Sequence, residues 1–97
     1  MVEYTLDLDS VFGSLADPTR RDILQRVARS ELTVSEIAEP YDISLAAVSK
    51  HLKIMQKAQL VTKRRQGKQQ LVSAAPSALD AVTDYLESYR QVGRQVF

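Results

Sequence analysis

Apolar residues recur at helical spacing near the start of the chain, at Val11, Phe12 and Leu15. They predict a first helix at about residues 9–16, with Asp9 or Ser10 as its cap. Asp17 and Pro18 mark the start of a second helix, because aspartate satisfies free backbone N–H groups and proline suits the first helical turn. The apolar face of this second helix consists of Ile23, Leu24 and Val27.

Two further helices are predicted in the segment that follows. Thr33 and Glu36 have the spacing of a capping box, in which each side chain satisfies a free N–H of the other's backbone, and Pro40 ends this short helix. Ser44 can cap the next helix, which runs from its neighbour to about residue 57. The apolar stripe of that helix consists of Leu45, Val48, Leu52 and Met55.

The pattern then changes to that of a β-hairpin followed by a long helix. The runs "LVTKRRQ" and "QQLVSAA" have strand character, and the polar, basic turn Gln66-Gly67-Lys68 joins them. Pro76 and Ser77 open the last helix, at about residues 77–96, with Ser77 as its predicted cap and Asp80 three residues later. The predicted fold is therefore mainly α with a small β-hairpin, in the order α-α-α-α-β-β-α, which is a winged helix-turn-helix.

The last helix carries an apolar stripe that is wider than one small core can bury. It follows a spacing of three and four residues through Leu79, Val82, Leu86, Tyr89, Gly93 and Val96, with Ala78, Tyr85 and Val92 beside them. Exposing this stripe would favour aggregation, so we expect a second copy of the chain to cover it together with the first helix. The predicted homodimer interface consists of Val11, Phe12, Leu15, Leu79, Val82, Leu86 and Tyr89.

Composition fits one folded domain over residues 1–97, with a single modest core. The apolar runs are too short to cross a bilayer, and the acidic start lacks the basic and apolar regions of a secretory signal. We therefore expect a cytoplasmic protein that meets no membrane. The sequence contains no cysteine, which excludes disulfides and thiolate metal sites.

Charge is unevenly distributed, although the whole chain carries only +1. Residues 1–42 carry four cations and nine acids, residues 43–79 seven cations and no acid, and residues 80–97 two cations and three acids. A surface without carboxylates suits a polyanion, and each cation that neutralises a phosphate releases a counterion. A solvated helix face is the alternative, but the basic segment spans a helix and a hairpin, so we favour nucleic-acid binding.

A winged helix-turn-helix places the second helix of the helix-turn-helix, here the fourth helix of the chain, in the major groove of double-stranded DNA. Its hairpin contacts the flanking backbone or minor groove. The predicted recognition-helix residues are Ser44, Leu45, Ala46, Ser49, Lys50, His51 and Lys53. The predicted wing residues are Lys63, Arg64, Arg65 and Lys68. The alternative is a protein–protein interaction module whose basic face meets an acidic partner.

Several side chains leave more than one role open. His51, the only histidine, fits either a phosphate contact or a structural hydrogen bond, and the second is favoured. Tyr85 and Tyr89 fit either a ligand pocket between subunits or, more commonly, an interface. The sequence has no Gly-rich phosphate loop and no cluster of acid–base groups, so it predicts neither an enzyme nor a cofactor.

The segments "FGSLADPTRRDILQRV", "ELTVSEIAEPYDISLAAVSKHLKIMQKAQLV" and "KRRQGKQQ" resemble the ArsR/SmtB family of bacterial and archaeal transcriptional regulators, over roughly residues 10–90. The segment "EPYDISLAAVSKHLKIM", with "DYLESYR" near the end, is most similar to a metal-independent subgroup of that family. The resemblance implies a homodimer that joins through its first and last helices and represses genes until a signal arrives. Whether that signal is a small-molecule effector stays open. Two-fold symmetry predicts an inverted-repeat operator.

Metal sensors of that family use ligands that this chain lacks. Where those sensors carry the two cysteines of an "ELCVC" motif, this chain has Thr33 and Ser35, and a hydroxyl is a poor ligand for a soft metal. The last helix has Asp80, Asp84 and Glu87 but no histidine, which is typical of a solvated helix face. We therefore expect no metal site.

Overall fold

The computed structural model describes the backbone of residues 7–96 and the side chains of residues 7–93, so the side chain of Val96 lies outside the described residues. Its elements are α1 (Leu8–Leu15), α2 (Pro18–Arg29), β1 (Leu32–Thr33), α3 (Val34–Ala38), α4 (Leu45–Lys57), β2 (Val61–Gln66), β3 (Gln69–Ala74) and α5 (Pro76–Val96). The predicted winged helix-turn-helix is confirmed, with α3 and α4 as the helix-turn-helix and the β2–β3 hairpin as the wing. None of the described helices has the length and apolar character needed to cross a membrane.

Local capping contacts begin three helices where the sequence predicts them. Asp17 Oδ2 accepts a hydrogen bond from the backbone N–H of Arg20 at 2.9 Å, and Ser44 Oγ accepts one from the first turn of α4 at 3.1 Å. Thr33 and Glu36 form the complete capping box, with contacts of 2.8 and 3.1 Å. Each cap satisfies backbone donors that the helix itself leaves unpaired.

Two helix starts differ from the prediction. The cap of α1 is Asp7, not Asp9 or Ser10, because Asp7 accepts hydrogen bonds from the backbone N–H of Asp9 at 3.0 Å and from the hydroxyl of Ser10 at 2.8 Å. These hydrogen bonds, chiefly the one from Ser10, lower the pKa of Asp7. The last helix begins at Pro76, so Ser77 lies within its first turn instead of capping it.

β1 is a strand that the sequence pattern did not predict. Its two residues run antiparallel to β3, with Leu32 opposite Val72 and Thr33 opposite Leu71, which gives a three-stranded sheet in the order β1-β3-β2. Because Thr33 also caps α3, this pairing attaches the wing directly to the helix-turn-helix. The hairpin register places Arg64 opposite Leu71.

Two residues in the left-handed region shape the connections around the wing. Gly67 has a φ of 62° at the first position of the two-residue hairpin turn, where glycine gives the turn a twist that matches its strands. Gln59 has a φ of 61° just after α4. There the N–H of Leu60 donates to the carbonyl of Met55 at 2.9 Å, which closes the helix end, while the N–H of Ala75 donates to the carbonyl of Leu60 at 2.8 Å.

The hydrophobic core lies between the helices and one face of the sheet. Leu45 was predicted to face this core, but it is 55% exposed because it occupies the first position of α4, where the helix emerges from the core. Val11 and Val82, predicted at a partner interface, are buried in the chain's own core, and Leu15 and Leu79 pack against it. The buried cluster consists of Val11, Ile23, Leu24, Val27, Ile37, Val48, Leu52, Met55, Ala58, Leu60, Val61, Val72, Ala78 and Val82.

Candidate nucleic-acid interface

The outward face of α4 carries small and basic side chains together with one large apolar side chain, Leu45, and all of them are exposed. Lys50 and Lys53 form no salt bridge with a carboxylate anywhere in the described part of the chain. The opposite face of the helix is fully buried, so the two faces are cleanly separated. Small side chains with long basic ones suit close approach to the major groove. The exposed face consists of Leu45, Ala46, Ser49, Lys50 and Lys53.

Two predicted recognition-helix residues make contacts within the chain. The hydroxyl oxygen of Ser44 caps α4. His51 is half-buried, and its Nδ1 lies 3.2 Å from Nη1 of Arg20. Because a guanidinium only donates hydrogen bonds, Nδ1 accepts, which places the proton of a neutral imidazole on Nε2. The geometry thus favours the structural role for His51.

Arg20 connects three helices around that histidine. Its Nε donates to the carbonyl of Ser14 at 2.8 Å and its Nη2 to the carbonyl of Gly13 at 3.3 Å, so it satisfies backbone acceptors at the end of α1. Its backbone N–H lowers the pKa of Asp17, the N-cap of α2. Sequence reasoning gave Arg20 no role, and a local pattern offers no signal for it, since His51 lies 31 residues away.

A second arginine of α2 holds the turn between α3 and α4. Arg26 donates to the carbonyls of Ile37 and Glu36, each at 2.8 Å, and thereby satisfies the end of α3. Its guanidinium lies 5.4 Å from the ring centroid of Tyr41, within the range of a cation–π contact. The hydroxyl of Tyr41 donates to the carboxylate of Asp22. Burial, with that hydrogen bond, raises the pKa of Tyr41. These contacts hold the turn between α3 and α4 and so help to set the orientation of α4.

One of the four predicted wing cations is already paired. Arg64 donates two hydrogen bonds to the carboxylate of Glu31, at 2.8 and 2.7 Å. The pairing lowers the pKa of Glu31 and raises the pKa of Arg64. Lys63, Arg65 and Lys68 pair with no carboxylate among the described residues, so their charges remain available to phosphate. Arg65 donates to the carbonyl of the turn glycine at 3.2 Å.

A separate apolar surface lies on α1 and α5. We name it the partner face, and it consists of Phe12, Tyr85, Leu86, Tyr89 and Val92, with exposed fractions from 37% to 62%. The rings of Phe12 and Tyr85 are 5.9 Å apart between centroids, and those of Tyr85 and Tyr89 are 5.1 Å apart. The two tyrosine hydroxyls lie 2.9 Å apart at hydrogen-bond distance. The three rings of this face are therefore connected to one another.

A groove of about 730 Å³ separates the start of α1 from α5. Of the two tyrosines that fitted a ligand pocket in the sequence, only Tyr85 lines it. Within the described residues, no group of three or more His, Cys, Asp or Glu side chains could hold a metal ion. The lining consists of Asp7, Leu8, Asp9, Ala81, Asp84, Tyr85 and Ser88.

The chain is similar to known helix-turn-helix proteins. Residues 15–64 match a family model described as a helix-turn-helix domain. The HTH-type transcriptional regulator Rv2034 of Mycobacterium tuberculosis is 37% identical over 81 residues, which is 84% of this chain and 76% of that protein. The transcriptional repressor SdpR of Bacillus subtilis is 37% identical over 60 residues, which is 62% of this chain and 67% of that protein.

The crystal structure of an ArsR family transcriptional regulator, RHA00566, superposes with a TM-score of 0.85 and 31% identity, covering 90% of this chain and 96% of that one. A transcriptional regulator with a helix-turn-helix domain is a DNA-binding protein, so the prediction that this chain is not an enzyme is confirmed. Together, the matched domain, the relatives and the shared fold show that the chain belongs to the ArsR/SmtB family of helix-turn-helix transcriptional regulators.

Proposed function

We propose that the chain is a homodimeric, metal-independent repressor that binds an inverted-repeat operator in the prokaryotic cytoplasm. The exposed face of α4 carries this proposal. Ala46 and Ser49 bring the helix backbone close to base edges, while Lys50 and Lys53 reach guanine or phosphate. The cations of the wing then contact the flanking backbone.

The homodimer rests on the partner face. Leu86, Tyr89 and Val92 are each more than half exposed. Exposing such an apolar surface to water costs free energy, which is recovered when another apolar surface covers it. A second copy, related by a two-fold axis, supplies the same surface in return. The dimer presents two copies of α4, whose half-sites lie about one helical turn of DNA apart. Dimerisation then raises affinity by coupling two half-site contacts.

Repression and metal independence have separate support. The similarity to SdpR, a transcriptional repressor, favours repression. Metal independence is favoured by the absence of cysteine from the sequence and by the capping box, in which Thr33 and Glu36 bond each other at the start of α3. We expect a releasing signal to be something other than a metal ion, such as a small molecule.

The test is selection of bound fragments from the source genome, followed by titration of a selected duplex and a random duplex over a range of salt. Phosphate contacts should give a steep decline of log affinity with log salt, about 0.9 per contact, and residual affinity for any duplex. The alternative module, which binds an acidic protein, should bind neither duplex at low salt. That result would rule out the proposed DNA binding in favour of the alternative module.

A further inference from the structure

Leu45 is a large apolar side chain at the tip of the candidate DNA-binding surface. It is 55% exposed, whereas Val48, one turn later on the same helix, is fully buried. Ile43, on the other side of the capping serine, is also exposed. Leu45 belongs to neither helix of the partner face, so the proposed dimer leaves it uncovered.

The first turn of α4 offers little polar chemistry for reading bases. No charged residue occurs in residues 43–49, and the lysines of α4 begin at Lys50. The oxygen of Ser44 already accepts a hydrogen bond from the backbone at 3.1 Å. Ala46 carries only a methyl group. Leu45 is therefore the side chain with the greatest reach at this end of the helix, and it can make only apolar contacts.

The major groove offers one apolar group on its base edges, the C5-methyl of thymine. A leucine that enters the groove beside any other base edge would cover hydrogen-bonding groups without satisfying them, which costs free energy. We propose that Leu45 is a specificity-determining residue that packs against a thymine methyl in each half-site. This inference rests on the proposed function and names the base that the site selects.

The experiment removes the methyl group from the DNA and the side chain from the protein. The full chain first selects duplexes from a random pool, and each thymine of the selected duplex is then replaced singly by deoxyuridine, which lacks only the methyl. At one thymine per half-site, the replacement should weaken binding of the wild type by about fourfold, the value of one buried methyl-sized group. Leu45→Ala should show no such difference.

Ile54→Ala is the matched control, since Ile54 is also an exposed apolar residue of α4 but lies in its last turn. It should keep the preference for thymine over deoxyuridine. Leu45→Gln should shift the preference at the same position towards adenine, which glutamine bonds through two hydrogen bonds.

Two results separate this inference from the function beneath it. If a duplex is enriched but no thymine responds to loss of its methyl, or if Leu45→Ala responds as the wild type does, Leu45 does not read thymine. If no duplex is enriched at all, the proposed operator binding fails and this inference fails with it. Random-duplex affinity of Leu45→Ala, measured in parallel, should equal that of the wild type and shows that the variant is folded.

Discussion

Arg20 and His51 form a hydrogen bond of 3.2 Å that joins α2 to α4. The same guanidinium binds the carbonyls of Gly13 and Ser14 at the end of α1. Phe12, a member of the partner face, immediately precedes those residues. The backbone of α1 and the side chain of Arg20 therefore link the partner face to α4.

Replacing Arg20 by alanine should loosen that junction. The change removes the Arg20 donor from the carbonyl of Ser14 and from one imidazole nitrogen, while the carbonyl of Gly13 keeps its hydrogen bond from the N–H of Ala16. We therefore expect the free energy of unfolding to fall by about 2 kcal/mol. Urea unfolding followed by circular dichroism measures the change. Arg29→Ala, which removes an exposed arginine from the same helix, should stay within about 0.5 kcal/mol of the wild type.

The single histidine makes the same contact visible by NMR. We expect the two imidazole ¹⁵N shifts of the neutral form of His51 to report a proton on Nε2 in the wild type, because Nδ1 accepts from Arg20. In Arg20→Ala the two tautomers should mix. A wild-type imidazole protonated on Nδ1 would contradict the hydrogen bond.

Replacing Glu31 by glutamine should strengthen non-specific DNA binding. The change frees the charge of Arg64 on the wing, so one more phosphate contact per subunit should steepen the salt dependence by about 0.9 per subunit, or about 1.8 for the proposed dimer. Fluorescence anisotropy with a random duplex over a salt series measures this slope. Asp80→Asn removes an exposed acid from α5 without freeing an arginine, and it should leave the slope unchanged.

The same pair makes a pH-dependent contribution to stability. The pKa of Glu31 lies below its ordinary value of 4.5 because of the hydrogen bonds from Arg64. The contribution is therefore present above pH 4.5 and is lost as pH falls through the lower folded-state pKa. Wild type and Glu31→Gln should differ in unfolding midpoint at neutral pH and converge in acid.

The helix and the wing should differ in what they contribute to DNA binding. Lys50→Ala should lower the ratio of specific to random-duplex affinity, because its side chain lies on the exposed face of α4 that is proposed to meet base edges. Arg65→Ala and Lys68→Ala should weaken both affinities together, since a wing cation mostly meets phosphate. Parallel titrations of a selected and a random duplex separate the two effects. Equal losses for Lys50→Ala would assign it to phosphate instead.

Leu86→Glu should dissociate the proposed dimer. Leu86 is 52% exposed in the partner face, and two-fold symmetry would bring two added carboxylates together in an apolar seam. Sedimentation should show monomers that bind a full operator poorly. Thr83→Glu adds the same charge to an exposed position of α5 outside the partner face, and it should remain dimeric. A wild type that sediments as a monomer at micromolar concentration would rule out this architecture.

Stoichiometric zinc, cadmium or arsenite should not release the protein from DNA. The chain has no cysteine and a single histidine, and that histidine is engaged with Arg20. Mobility shifts with each ion test this expectation. Release that disappears when Asp80, Asp84 and Glu87 are replaced together would instead reveal a metal site on α5.

The features that could be predicted from the sequence depend on short-range contacts. Asp17, Thr33 and Ser44 each bond a backbone N–H three residues later, so a few neighbouring letters were enough to indicate three helix starts. The charged face of α4 followed from its period in the same way. β1 lay beyond such reasoning, because two residues become a strand only by pairing with β3, far along the chain.

Long-range contacts also changed the interpretation of the candidate site. Arg64 resembled a free wing cation because its partner, Glu31, lies 33 residues away. Leu45 fitted the apolar period of α4, but a period does not show where a helix leaves the core. Val11 and Val82 fitted the pattern of a dimer interface, but in the fold they are buried in the core of the same chain.

The left-handed residue Gln59 lies where α4 passes into the hairpin. Leu60 bonds the end of α4 on one side and the residue after β3 on the other, so the recognition helix and the hairpin meet at one backbone junction. We expect each subunit to move as a rigid body. In the proposed dimer, a signal would then change the distance between the two copies of α4 and leave the conformation of each subunit unchanged. DNA would be released because this distance no longer matches the spacing of the two half-sites.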